Sequence, residues 1–155
     1  MIRARVITCS DAASRGERED RSGPAVREIL GGAGFEVDAV MIVADDVEAI
    51  ATAIENATAD GARLVVTTGG TGIAPRDVTP EATAKVCEKV LPGFGELMRA
   101  TSRKGALSRA QAATRGAALI VNLPGSVKGA TESLRAVLDL VPHALDLLGG
   151  RTEHG

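Results

Sequence analysis

The chain predicts a three-layer α/β/α fold with a doubly wound, mostly parallel sheet, and three observations carry that expectation. Two runs, "RLVVTT" (63–68) and "AALIVNL" (117–123), are almost wholly apolar and end in glycine-containing turns, as parallel strands buried on both faces do. Segments with apolar residues three and four apart stand between such runs. The strand and helix patterns alternate along the chain, which favours right-handed crossovers. At 155 residues and 45 % hydrophobic the chain suits a single core, with one domain over residues 1–150 and a short tail at 151–155.

Taken in order, "ARVITCS" (4–10) reads as a strand feeding a charged, mobile loop, "DAASRGERED" (11–20). A helix follows in "RSGPAVREILGGAG", capped by Ser22 or Gly23, with Pro24 in its first turn and Gly31, Gly32 and Gly34 ending it. Residues 35–43 place Phe35, Val37, Ala39, Met41 and Val43 at period two, a second strand. In 44–61, Val47, Ile50, Ala51, Ile54 and Ala57 have helical spacing and Gly61 is the stop. After the central strand, "TPEATAKVCEKVL" reads as a helix with Thr79 as N-cap and Pro80 at the first position. "PGFGELMRATSR" reads as a shorter helix and "GALSRAQAATRG" as a loop containing one strand. After "PGS" (124–126) comes the helix "VKGATESLRAVLDLV", restarted at Pro142.

Composition removes several classes of function. A net charge of -2 and a near absence of aromatics, with Phe35 and Phe94 the only Phe, Trp or Tyr rings, argue against a nucleic-acid binder. Cys9 and Cys87 have no zinc or disulfide spacing, no run approaches the roughly 20 apolar residues of a membrane span, and "MIRARVITCSD" is too short for a signal-peptide core. A cytoplasmic protein without a membrane partner is expected. Charge is segregated: residues 36–81 hold nine acids against two bases, and residues 96–135 seven bases against two acids. Such a split suits an acidic metal side facing a basic anion side, and equally suits solvated helix faces.

Ligands of open α/β sheets bind beyond the carboxyl ends of the strands, and three such ends carry polar turns, "CSD", "TTGGTG" and "NLPGS". Glycines there let backbone N–H groups approach an anion at a helix N-terminus, yet neither GxxxxGK[ST] nor GxGxxG is present, since Pro75 stands where the last glycine should be. Asp77 precedes the expected Thr79 cap by two residues and is therefore free for a cation. For Asp45 the pattern favours a helix cap, because "DDVE" sets Glu48 three residues on. Carboxylates beside a phosphate turn suggest a Mg-nucleotide. His143 and His154 lie far from all three turns, so no Ser-His-Asp arrangement is indicated, and Ser108 beside Arg109 reads as an anion-binding hydroxyl.

Together, "SD" (10–11), "EDRSG" (19–23), "VADD" (43–46), "TTGGTGIAPRDVTPEAT" (67–83), "PGF" (92–94), "LSR" (107–109) and "NLPGS" (122–126) resemble the MogA/MoaB family, which includes the G domain of gephyrin. The resemblance spans nearly the whole chain, in order. It implies a molybdopterin adenylyltransferase of molybdenum-cofactor synthesis, a homotrimer moving AMP from MgATP to the terminal phosphate of molybdopterin. A MoeA-type molybdate-insertion protein would be a partner, and the alternative is a non-catalytic MoaB-type binding or scaffold protein. Asp45 and Asp77 match the family's essential aspartates, which reverses the preference for Asp45 as a cap and makes both of them catalytic, Mg²⁺-placing residues. Where the family commonly has Pro, this chain has Ala44. Gly69, Gly70, Thr71 and Gly72 are expected to cradle phosphate, and Ser10 and Asp11 to face the nucleotide. Ser108, Arg109, Gly125, Ser126 and Lys128 are expected around the pterin's phosphate, with Asn122 supporting that turn.

Overall fold

In the computed structural model, which describes residues 1–151, the expected alternation produces a seven-stranded sheet. The elements are β1 (Arg3–Cys9), α1 (Asp11–Ser14), α2 (Ser22–Gly32), β2 (Glu36–Val37), β3 (Met41–Val43), α3 (Val47–Ala59), β4 (Leu64–Thr68), α4 (Thr79–Val86), β5 (Lys89–Val90), α5 (Pro92–Arg99), β6 (Ala112–Arg115), β7 (Ala118–Leu123), α6 (Val127–Val137) and α7 (Val141–Leu148), with 3-10 turns at Arg103–Leu107 and Leu138–Leu140. The order across the sheet is β2-β1-β4-β7-β6-β5, and β3 also pairs with β1. β1, β4 and β7 are parallel neighbours, while β6 is antiparallel to both β7 and β5.

Strand alternation divides the core between the two faces. Val6, Leu64, Val66, Leu119 and Val121 pack under α2, α5, α6 and α7, whereas Ile7, Val65 and Ile120 pack under α3 and α4. Every residue of β4 and β7 is buried, as their apolar runs require.

The structure corrects the expectation of one strand over 35–43. Phe35, Val37 and Val40 pack on the α2 face, but Met41 and Val43 pack on the α3 face. A continuous strand would put Val37 and Met41 on the same face, so the chain breaks between them. Asp38 sits in the break and accepts from Arg3 and Arg5 at 3.2 and 3.1 Å. The charged loop after β1 is also partly ordered. Asp11–Ser14 forms one helical turn, with Ser10 Oγ accepting from Ala13 N–H at 3.1 Å.

Candidate active site at the carboxyl ends of the central strands

The turns after β1, β4 and β7 converge, as expected, on one crevice of about 630 Å³ lined by Ser10, Asp45, Gly69, Gly70, Gly125 and Ser126 among others. Gly69 and Gly70 have φ of +90° and +70°, a region L side chains rarely occupy. A Cβ on Gly70 would run into Thr79 Oγ1 and approach Asp45 Oδ1. The turn is locked from α4, where Thr79 Oγ1 donates to the Gly69 carbonyl at 2.9 Å and Thr79 N–H to that of Gly70 at 3.1 Å. Thr79 is therefore not the N-cap. Val78 takes that place without a side-chain cap, and the Thr79 hydroxyl is spent on the glycine turn.

The two adjacent aspartates divide their work. Asp46, not Asp45, caps α3, accepting from Ala49 N–H at 2.9 Å. Asp45 turns the other way, towards α1. Its Oδ2 accepts from Asp11 N–H at 2.9 Å, and its own N–H donates to Asp11 Oδ1 at 3.0 Å. Asp11 is clamped in turn by Arg76, whose two donors reach its carboxylate at 2.9 and 3.0 Å and hold its carboxyl below the usual range, helped by the backbone bond to Asp45. Asp45 Oδ1 is buried and has no hydrogen-bond partner. Burial pushes the Asp45 carboxyl above its ordinary value, and the charges of Asp11 and Asp77 push the same way against the Asp11 N–H and Arg76. An acceptor-only group held in this state is suited to a cation. Asp77 is half-buried in the turn before α4, with Oδ2 accepting from Ala74 N–H at 3.0 Å. Among the described residues no group of three or more His, Cys, Asp or Glu forms a metal cluster, so any cation here would take its remaining ligands from substrate or water.

Of the other residues expected at the substrate, Ser126 lines the crevice, and Ser108, Arg109, Asn122 and Lys128 do not. Arg109 is a brace. Its Nε donates to Gly72 O at 2.9 Å, one terminal nitrogen to Asp77 O at 2.8 Å, and the other pairs with Glu81. These contacts use three of its five N–H donors. Its backbone N–H also holds Thr71 O, at 2.6 Å, and Thr71 is itself buried. Asn122 is fully buried and offers no surface to a ligand. Its Nδ2 donates to Thr67 at 3.1 Å and Thr83 at 3.0 Å beneath the turn, a supporting position. Ser126 lines the crevice and caps α6, accepting from Gly129 N–H at 3.0 Å. Ser108 is half-buried with Oγ accepting from Ala110 N–H, Lys128 is exposed on the first turn of α6, and neither lines the crevice. His143 sits in α7, and His154 lies outside the described residues.

Sequence reasoning gave no place in the site to Thr8, Asp20 or Ser22, which also line the crevice. Asp20 accepts from Gly23 N–H at 3.1 Å, so an aspartate three residues before a helical N–H was the legible signal. The expected caps, Ser22 and Gly23, already lie inside α2.

A glycine turn at a helix mouth beside a half-buried carboxylate, at the edge of an open α/β crevice, suits a protein that handles phosphorylated ligands. Over residues 5–143 the sequence matches the family described as "Probable molybdopterin binding domain", and the chain belongs to that family. It is 47 % identical over 155 residues to the molybdopterin adenylyltransferase of Helicobacter pylori strain J99, covering 94 % of this chain and 86 % of the relative. Against the molybdopterin adenylyltransferase of Escherichia coli K12 the identity is 38 % over 168 residues, covering 96 % and 86 %. The crystal structure of the molybdopterin biosynthesis enzyme MoaB of Thermus thermophilus superposes with a TM-score of 0.90 at 49 % identity, covering 97 % of this chain and 98 % of that one.

Proposed function

We propose that this chain is a molybdopterin adenylyltransferase, which joins AMP from ATP to the terminal phosphate of molybdopterin and releases pyrophosphate. The observation that carries the reading is Asp45. Asp46 relieves it of capping, and its buried Oδ1 faces the glycine turn without a partner. Family membership and the names of the relatives support the substrate assignment.

In the proposed reaction an oxygen of the molybdopterin phosphate attacks the α-phosphorus of ATP, and the bond to the bridging oxygen breaks with its electron pair leaving on pyrophosphate. A phosphate monoester with a second pKa near 6 is mostly dianionic at neutral pH, so the nucleophile needs no histidine base. The demand is to bring anions together in line and to neutralise charge on the transferring group. The N–H groups of Gly70 and Gly72 are suited to phosphate oxygens, whereas that of Gly69 is taken by the Leu123 carbonyl at 3.0 Å and Gly69 serves the turn by its conformation; the α6 N-terminus at Gly125 and Ser126 is suited to a second anion. Asp45 and Asp77 fit as the holders of Mg²⁺, which when bound supplies charge neutralisation between phosphates. Ser10 and Asp11 are assigned to the nucleotide side, with Asp11 acting through its grip on Asp45. Ser108 and Lys128 are left to the outer pterin phosphate, and Arg109 and Asn122 to bracing the turn.

The resemblance supports a homotrimer working in the cytoplasm with a MoeA-type partner. No described helix is long and apolar enough to cross a membrane.

Incubation with molybdopterin and MgATP should yield adenylylated molybdopterin and pyrophosphate. Asp45→Asn and Asp77→Asn should each lower turnover by about 100-fold or more, the scale of losing a group that stabilises transferring charge. Unchanged turnover in both variants would remove the metal-site assignment. A folded wild type that binds molybdopterin tightly but forms no product would replace catalysis with carriage.

A further inference from the structure

On the α2 face of the sheet, just behind the crevice, three hydroxyls and a carboxylate form a continuous chain. Ser22 Oγ donates to Thr68 Oγ1 at 3.0 Å, Thr68 Oγ1 to Thr8 Oγ1 at 3.2 Å, and Thr8 Oγ1 to Asp20 Oδ2 at 2.7 Å. Each hydroxyl has a single proton, and this direction uses each once and ends on a group that only accepts. Thr8, Ser22 and Thr68 are all buried, where such a chain polarises cooperatively and leaving one member unpaired is costly. The other carboxylate oxygen of Asp20 takes the Gly23 N–H. Glycine is needed at 23, because a Cβ there would meet both Asp20 Oδ2 and Thr8 Oγ1.

The chain joins three parts of the site. Thr8 lies two residues before Ser10, Thr68 immediately before Gly69, and Asp20 at the end of the loop whose Arg18, Glu19 and Arg21 line the crevice. The loop has few other ties to the body of the protein. Arg15 and Glu17 pair with each other, as do Arg21 and Glu19.

We propose that Asp20 is a positioning residue that holds the 15–21 loop against the ends of β1 and β4, so that Arg18 and Arg21 stand over the crevice to meet an anionic substrate. This rests on the reading of the crevice as the adenylyl-transfer site. Asp20 touches no substrate in this role. It acts on where the loop stands, and so on how tightly substrate is held.

The test combines steady-state kinetics of adenylyl transfer with limited tryptic digestion, since Arg15, Arg18 and Arg21 give cleavage sites within the loop. Asp20→Ala should raise the KM for ATP or molybdopterin by about tenfold, the scale of losing a hydrogen-bonded charge, with kcat within about threefold. Loop cleavage should quicken by about tenfold, as expected for a freed local opening. Asp20→Asn should restore much of both, because the amide can donate to Thr8 and reverse the hydroxyl chain while its oxygen keeps Gly23 N–H. Thr8→Val should reproduce part of the Asp20→Ala effect. In the double variant the two KM changes should combine to less than their product by about fivefold, as for groups acting through one another.

Independent effects of Thr8→Val and Asp20→Ala, or a fall in kcat with KM and cleavage unmoved, would overturn the proposal. Should Asp20→Ala not fold, Asp20→Asn and Thr8→Val still decide it, because unmoved KM in Thr8→Val together with unmoved cleavage rejects the chain. If the wild type transfers no adenylyl group but loop cleavage responds as stated, the enzymatic reading fails and the positioning role stands. If transfer occurs and neither KM nor cleavage moves, the reverse holds.

Discussion

At the same height on the sheet, two buried polar networks flank the site on opposite faces, and they are built differently. Towards α2, Ser22, Thr68 and Thr8 run to the Asp20 carboxylate, and all four line the crevice. Towards α4, Asn122 joins Thr67 to Thr83, away from the crevice, with all three residues buried and Asn122 Oδ1 left without a partner. The first network ends on a charge at the crevice. The second is neutral and sealed, so its value is structural. It fixes α4, and through Thr79 the glycine turn, against β4 and β7. The crevice is thus bordered by a charged network on one face of the sheet and backed by a neutral one on the other.

The largest effect separating them is energetic. Asn122→Leu strips both donors from a fully buried cluster and should cost about 2–3 kcal/mol in urea unfolding. Thr68→Val, on the face that lines the crevice, breaks two hydrogen bonds but leaves Ser22 and Thr8 both able to donate to Asp20, so it should cost about 1 kcal/mol. Equal losses would mean that sealing makes no energetic difference and would break the comparison.

How much of this was legible depends on what each pattern encodes. The buried strands β4 and β7 and the helical spacing of α3 were readable because burial on one face or two leaves a periodic mark. The convergence of three polar turns followed from the parallel sheet. Asp45 was not readable from spacing, because in "DD" either aspartate can cap and a one-residue shift exchanges cap for ligand; only resemblance reversed the preference. The break at Asp38 left no mark, since period two continues through it while the faces exchange. Thr79 was seen as a cap, Arg109 as a ligand contact and Asn122 as a support of its turn, but their partners, Gly69, Gly72 and Thr67, come from other elements, and sequence spacing carries no record of such contacts.

A smaller effect reports how tightly the α4 side is closed. Cys9 ends β1 on that face, and burial pushes its thiol up to about 12, opposed by a hydrogen bond to Thr79 and helped by the Asp45 charge. Cys87, half-buried at the far end of α4, is pushed up to about 11 by burial and by Glu88, against Arg115. Reaction requires thiolate, so at pH 8 an aromatic disulfide reagent should label Cys87 slowly and Cys9 more slowly still, each at least about tenfold slower than in urea. The sign for stability follows. Both thiols stay protonated longer in the folded state, so their contribution is complete below the unfolded value near 9.0 and declines as pH rises towards 11 and 12. Labelling of native Cys9 at its unfolded rate would show the face to be open.

The smallest effect lies at the outer rim of the same side, where Arg109 braces Gly72 and Asp77 and pairs with Glu81. Arg109 holds the Glu81 carboxyl below its usual range. A depressed carboxyl contributes stability that is present above its unfolded value near 4.5 and lost as pH falls through the folded value. Both side chains are substantially exposed, so the contribution is that of a surface pair, about 0.5 kcal/mol. Glu81→Gln should therefore lower stability slightly at pH 7, and the difference should shrink as pH falls below 4.5 and through the folded value. A loss that does not shrink with pH would assign Glu81 a packing role. A much larger loss at pH 7, approaching that of Asn122→Leu, would mean that the rigidity of the α4 side resides in the Arg109 brace at its rim rather than in the sealed network beneath it.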